Sequence, residues 1–169
     1  MQGLQIWFNL PRKNKKVKPW YQHIKKDTIP TVEENKNIEI KVLVGEVKGT
    51  KSKIQTYSPV SIYDIKFSKP DMTKFNVDKE QNLMIYIIDG QLQFSDLNKI
   101  ANKGDMIYFD QLSDEIQLTS ISENGSYLVL AGKPLQEPVA RYGPFVTNTE
   151  GEIKQAMIDY QDGKMGSLT

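Results

Sequence analysis

The sequence predicts an all-β chain: an antiparallel jelly-roll barrel preceded by an extended arm and followed by one α-helix. Three observations carry this. From Ile38 to Gly132 short β-prone runs follow one another at near-regular spacing, many of them separated by turn signals such as Asp89-Gly90, Lys103-Gly104 and Asn124-Gly125. No helical pattern alternates with them, which argues against a parallel βαβ sheet. Only after Thr149 does an apolar period of helical spacing emerge.

Along the chain, Gly3 to Leu10 alternates, with Leu4, Ile6, Phe8 and Leu10 on one face, and reads as a strand ended by Pro11. The stretch after it is polar and proline-punctuated, so this strand has no neighbour in sequence and must pair at long range or with another chain. The body strands are expected at Ile38 to Val47, Ser61 to Ser68, Asn82 to Leu97, Asp105 to Asp110, Glu115 to Ile121 and Ser126 to Gly132. Asp89-Gly90, between Leu83 to Ile88 and Leu92 to Ser95, predicts a tight hairpin. Thr149-Glu150-Gly151-Glu152 forms a capping-box pattern, Ile153, Ala156, Met157 and Tyr160 share one helical face, and Asp162-Gly163 ends the helix. That face is expected to pack against the body. The chain thus divides into an arm (1–35), a barrel (36–135) and an aromatic loop with its helix (136–169).

Composition narrows the function. With 169 residues and 38% hydrophobic content, the chain can bury one core. Its longest apolar runs, such as Met84 to Ile88, fall far short of the roughly 20 residues of a membrane span. The first residues lack a basic lead and an apolar stretch, so a cytoplasmic location without a membrane partner is expected. Having no cysteine excludes disulfides, thiolate nucleophiles and iron–sulfur clusters. The single histidine, His23, excludes three-histidine zinc, the two-histidine iron triad and H-E-x-x-H centres. Nucleophile elbows and phosphate-cradling glycine loops are missing, so no catalytic residue and no cofactor is expected.

Charge is unevenly spread. Arg12, Lys13, Lys15, Lys16, Lys18, Lys25 and Lys26 precede the first acid, Asp27, in a chain whose total is only +1. The basic run has no helical period and is broken by Pro11 and Pro19, so it reads as a solvated linker and nucleic acid is disfavoured. His23, beside Trp20 and Tyr21 in that run, reads as a bystander. Asp71, Asp78 and Glu80 could contribute to a hard-cation site, but such a site needs about six converging oxygens. Lys74 and Lys79 interleave with them, so they read as solvated loop acids and no metal is expected. Arg141-Tyr142-Gly143-Pro144-Phe145 is the densest aromatic feature, suited either to anchoring a partner or to closing the barrel. Phe67, Phe75, Tyr86 and Phe94 are candidate lining residues of a ligand-holding barrel, and equally core residues.

Several segments resemble the pirin family of cupin proteins: Gly3-Leu4-Gln5-Ile6-Trp7-Phe8-Asn9-Leu10-Pro11, Pro19-Trp20-Tyr21-Gln22, Pro134-Leu135-Gln136-Glu137-Pro138-Val139 and Arg141-Tyr142-Gly143-Pro144-Phe145-Val146-Thr147-Asn148-Thr149. The likeness continues through Glu152-Ile153 and Gln155-Ala156 to Asp159-Tyr160 and Gly163. It implies a cupin fold, in a family built of two tandem barrels, with this chain similar to the C-terminal portion. In that family three histidines and a glutamate of the first barrel hold iron, and flavonol (quercetin) dioxygenase activity is attributed to that site. No position here matches those ligands, and Lys69 to Gly90, where a metal cupin carries its motif, has no histidine. The expected role is therefore non-catalytic, through self-association into a homo-oligomer or contact with a separate metal-bearing cupin chain. Leu4, Ile6, Trp7, Phe8, Leu10, Arg141, Tyr142 and Phe145 are the candidate interface. The alternative is the C-terminal half of a split or truncated flavonol dioxygenase, and a weaker third possibility is a small-molecule binding barrel.

Overall fold

Alternating side chains build most of the strands, and the computed structural model describes residues 3–94, 99–109 and 115–166. Two units share them, one running from Trp20 to Pro134 and the other joining residues up to Pro19 with those from Leu135 onward.

In the longer unit the strands are β1 (Thr31–Glu33), β2 (Ile38–Val44), β3 (Glu46–Val47), β4 (Thr50–Lys51), β5 (Val60–Phe67), β6 (Asp71–Asn76), β7 (Asn82–Asp89), β8 (Gln91–Phe94), β9 (Lys99–Asn102), β10 (Met106–Phe109), β11 (Glu115–Ser120) and β12 (Gly125–Gly132). They form a six-stranded sheet, β1-β2-β5-β12-β7-β10, and a four-stranded sheet, β6-β11-β8-β9, with β3-β4 as a separate hairpin. All pairings are antiparallel. The inward rows are Ile38, Ile40 and Val42 of β2, Tyr63, Ile65 and Phe67 of β5, Leu83, Ile85 and Ile87 of β7, and Tyr127, Val129 and Ala131 of β12. Phe75, Leu92, Phe94, Ile116 and Leu118 of the smaller sheet complete the same apolar core. This is the expected antiparallel jelly-roll architecture.

Three expectations change. Asp89-Gly90 closes no hairpin: β7 belongs to the six-stranded sheet and β8 to the four-stranded one. Gly90 adopts φ +82° and turns the chain from one sheet into the other. Lys103-Gly104 likewise lies between strands of different sheets, and Asn124-Gly125 stands where the chain, coming from β11 of the smaller sheet, enters β12 of the larger. The second expectation concerns β2, which stops at Val44 because Gly45, at φ +86°, breaks the predicted run to Val47. The third is the N-terminal strand. Gly3 to Leu10 joins no ladder among the described residues, since alternation supplies an apolar face but not a partner backbone. The end of the predicted run to Leu97 and the last residue of the run to Asp110 lie outside the described residues.

The shorter unit contains β13 (Ala140–Tyr142) and β14 (Phe145–Thr147), paired as a hairpin, and α1 (Glu150–Gln161). The predicted capping box forms, with Thr149 Oγ1 accepting from the Glu152 N–H and the Glu152 carboxylate accepting from the Thr149 N–H. Of the predicted apolar face of α1, Ile153 is buried and Ala156 half-buried, while Met157 and Tyr160 stay exposed.

Candidate functional site

The barrel interior offers little chemistry. Across the stretch from Lys69 to Gly90 the side chains turned inward are Thr73, Phe75, Val77, Leu83, Ile85 and Ile87, none of which is an imidazole or a carboxylate. Two tyrosines bring the interior hydroxyls: Tyr63 donates to the Glu46 carbonyl at 2.6 Å, and for Tyr127 burial pushes the pKa up, a bond with Thr73 draws it partly back, and the Glu34 carboxylate adds to the rise. These residues do not fit an iron centre. Among the described residues no group of three or more His, Asp and Glu side chains could hold a metal ion.

The three acids of that stretch have local duties. Asp71 accepts from Asn37 Nδ2 at 2.9 Å and from the Met72 N–H at 2.7 Å, and these bonds hold its carboxyl below the usual range. Asp78 accepts the Glu80 N–H at 2.9 Å, and Glu80 pairs with Lys133. Lys74 is engaged with Glu115 at 3.2 Å instead of with these acids.

Of the predicted lining residues, Phe67, Phe75 and Phe94 belong to the core, and Phe67 also borders a cleft. Tyr86 does not line the interior. It stands on the outer face of β7, packed with Met84 and Ile88 against Ile62, Leu128 and Leu130, because this sheet is apolar on both faces. The open cleft, about 590 Å³, is bordered by groups of both signs, including Glu33, Lys36, Lys66 and Asp89.

The shorter unit gathers more of the interesting residues. Leu4 is 56% exposed, Trp7 76%, Phe8 46% and Tyr142 64%; Ile6 and Arg141 are exposed too, and Leu10 and Phe145 are half-buried. Gly143, at φ +53°, and Pro144 make the turn that sets Tyr142 opposite Phe145, whose ring meets Tyr160 edge-on at 6.1 Å. Beside this hairpin lies a polar node that no local signal announced. Glu137 Oε2 accepts the Arg12 N–H at 2.8 Å and the Asn148 side-chain amide at 3.1 Å. Asn148, buried, also donates to Pro138 O at 2.9 Å and, through its backbone, to Glu152 Oε2 at 3.0 Å. Glu152 Oε1 faces the Arg12 guanidinium at 3.7 Å. The node therefore joins the short turn Arg12–Asn14 to the start of α1.

His23 is exposed in the longer unit. Nearby, Gln22 makes a reciprocal pair with the backbone of Gln55, at 2.9 and 3.0 Å, and the Trp20 indole N–H donates to the Tyr57 hydroxyl at 3.2 Å. That docking ties the Trp20-Tyr21-Gln22 segment to its own unit.

Residues 62–166 match the family model of the pirin C-terminal cupin domain. Pirin-1 of Arabidopsis thaliana is 35% identical over 97% of this chain and 58% of its own length, and pirin of Homo sapiens is 34% identical over 97% and 57%. A crystal structure of quercetin 2,3-dioxygenase from Acinetobacter baumannii superposes with a TM-score of 0.84 at 30% identity, over 96% of this chain and 56% of that one. The chain thus spans little more than half the length of the curated relatives it matches. No helix among the described residues is long and apolar enough to cross a membrane.

Proposed function

Because the chain belongs to the pirin family, within which it corresponds to the C-terminal cupin domain, we propose that it acts in the cytoplasm by protein contact, as a non-catalytic cupin module. The observation that carries this reading is the exposed apolar row of the shorter unit, Leu4, Ile6, Trp7 and Phe8. Exposed rows of this kind mark interaction sites more often than idle surface. The partner is a second copy of the chain or a separate metal-bearing cupin barrel. Sedimentation velocity at micromolar concentration tests it, with the chain alone and mixed with a separately produced metal-bearing barrel of the family. A dimer or a mixed complex is expected, weakened at least about tenfold, or about 1.4 kcal/mol, by Trp7→Ser with Phe8→Ser. Monomers in both samples would overturn it.

A second reading has its own support in the likeness to the quercetin 2,3-dioxygenase structure. On that reading the chain is the C-terminal half of a flavonol dioxygenase whose metal-bearing half is another polypeptide. Oxygen uptake with quercetin on mixing the two halves would favour it, provided neither half is active alone. Near-stoichiometric iron kept by the isolated chain after loading with Fe(II) and desalting would defeat the non-catalytic reading outright.

A further inference from the structure

Within the shorter unit, arm and carboxyl-terminal segment meet without a sheet ladder between them among the described residues. Contacts that join them converge on two carboxylates. Glu137 takes the Arg12 backbone N–H, a charge-assisted bond, and Glu152 takes the Arg12 side chain as an ion-pair partner. On the arm itself, Asn14 N–H returns to Pro11 O at 2.8 Å and Lys15 bonds the Asn9 side chain, so the turn presented to Glu137 is internally braced.

We propose that Glu137 and Glu152 form an anionic clasp that reversibly straps the arm, Glu137 holding the Arg12 backbone N–H and Glu152 its guanidinium, so that ionic strength, acting on the Glu152 pair, tunes how freely the row Leu4, Ile6, Trp7, Phe8 and Leu10 is presented. The Arg12 side chain is 65% exposed, and an exposed ion pair weakens as the Debye length falls from about 10 Å at 0.1 M salt to about 3 Å at 1 M. The other charges near the strap act less directly. Lys16 of the arm lies within electrostatic reach of Asp159, but Lys164 already pairs with Asp159 at 3.3 Å and with Asp162 at 2.9 Å. Glu152 is further committed to Asn148 and Thr149, which fixes its carboxylate in place. Glu137 is fixed likewise by Asn148. The clasp is thus built from anions held by the carboxyl-terminal segment, Glu137 closing on the Arg12 backbone N–H and Glu152 on its guanidinium.

The consequence for a partner rests on the docking reading above; the strap does not. Amide hydrogen exchange by NMR on the full chain tests the strap at the Arg12 amide, the one that Glu137 accepts. Raising salt from 50 mM to 1 M, which screens the Arg12–Glu152 pair, should speed exchange there about two- to fivefold, and Glu137→Ala at 50 mM, which removes the acceptor of the Arg12 N–H, about tenfold, while α1 amides keep their rates. Unchanged exchange under both salt and substitution would overturn the strap, and the salt arm stands even where a variant fails to fold. Sedimentation of the same samples is read separately. Faster exchange with no association under any condition leaves the strap standing and sinks the docking reading, whereas association with unresponsive exchange does the reverse.

Discussion

Glu152 shows how much one side chain can be asked to do. Burial pushes its pKa up, yet the Asn148 N–H, the Thr149 hydroxyl, the Arg12 charge and the Thr149 N–H together bring it below the ordinary 4.5. A carboxyl lowered in the folded chain lends stability above its unfolded pKa, which is lost as pH falls through the folded value. The first turn of α1 should therefore hold from neutral pH down to about 4.5 and loosen below it, read as helical circular dichroism between pH 7 and 3. Thr149→Ala, which removes the cap acceptor for the Glu152 N–H, should cost about 1 kcal/mol in thermal unfolding. Thr149 and Glu152 were legible as a pair because a capping box is a four-residue pattern. Glu137 was not: its donor Arg12 lies 125 residues away, and nothing in either neighbourhood points to the other.

Strands were readable where apolar residues alternate against polar ones, as in β2, with Ile38, Ile40, Val42 and Val44 buried. They were not readable where few side chains turn inward. β6 contributes only Thr73 and Phe75 to the interior, so Asp71, which opens it, read as a loop acid. The opposite error, at Tyr86, came from a sheet apolar on both faces, where period-two reasoning does not say which face is inside. Gly90 shows a third case, in which the turn signal was right about backbone angle and wrong about connection. A Cβ there would meet Ser122 Oγ at 2.6 Å and the Asn124 carbonyl oxygen at 2.7 Å, besides straining φ. Gly90→Ala should thus destabilise the barrel by about 1–3 kcal/mol in denaturant unfolding, whereas the same change at Gly104, with open space around its Cβ, should cost only the positive-φ strain of about 1 kcal/mol.

At the scale of the whole chain, the two units differ in how their contacts are spaced. The barrel closes through neighbours such as β5, β7 and β12, all between Val60 and Gly132, while the clasp needs residues from both ends of the sequence. Distant contacts bear a larger loop-closure cost and form later. In pulsed hydrogen exchange during refolding, amides of β5 and β12 should gain protection before Arg12 does, and simultaneous protection would contradict this order. On the ribosome the same spacing becomes a delay. At about 5–20 residues per second, Arg12 emerges roughly 6–25 s before Glu137 exists to receive it. For that interval Trp7 and Phe8 sit beside a growing chain with the acceptor for Arg12 not yet made, which is when a chaperone or a waiting partner would meet them first.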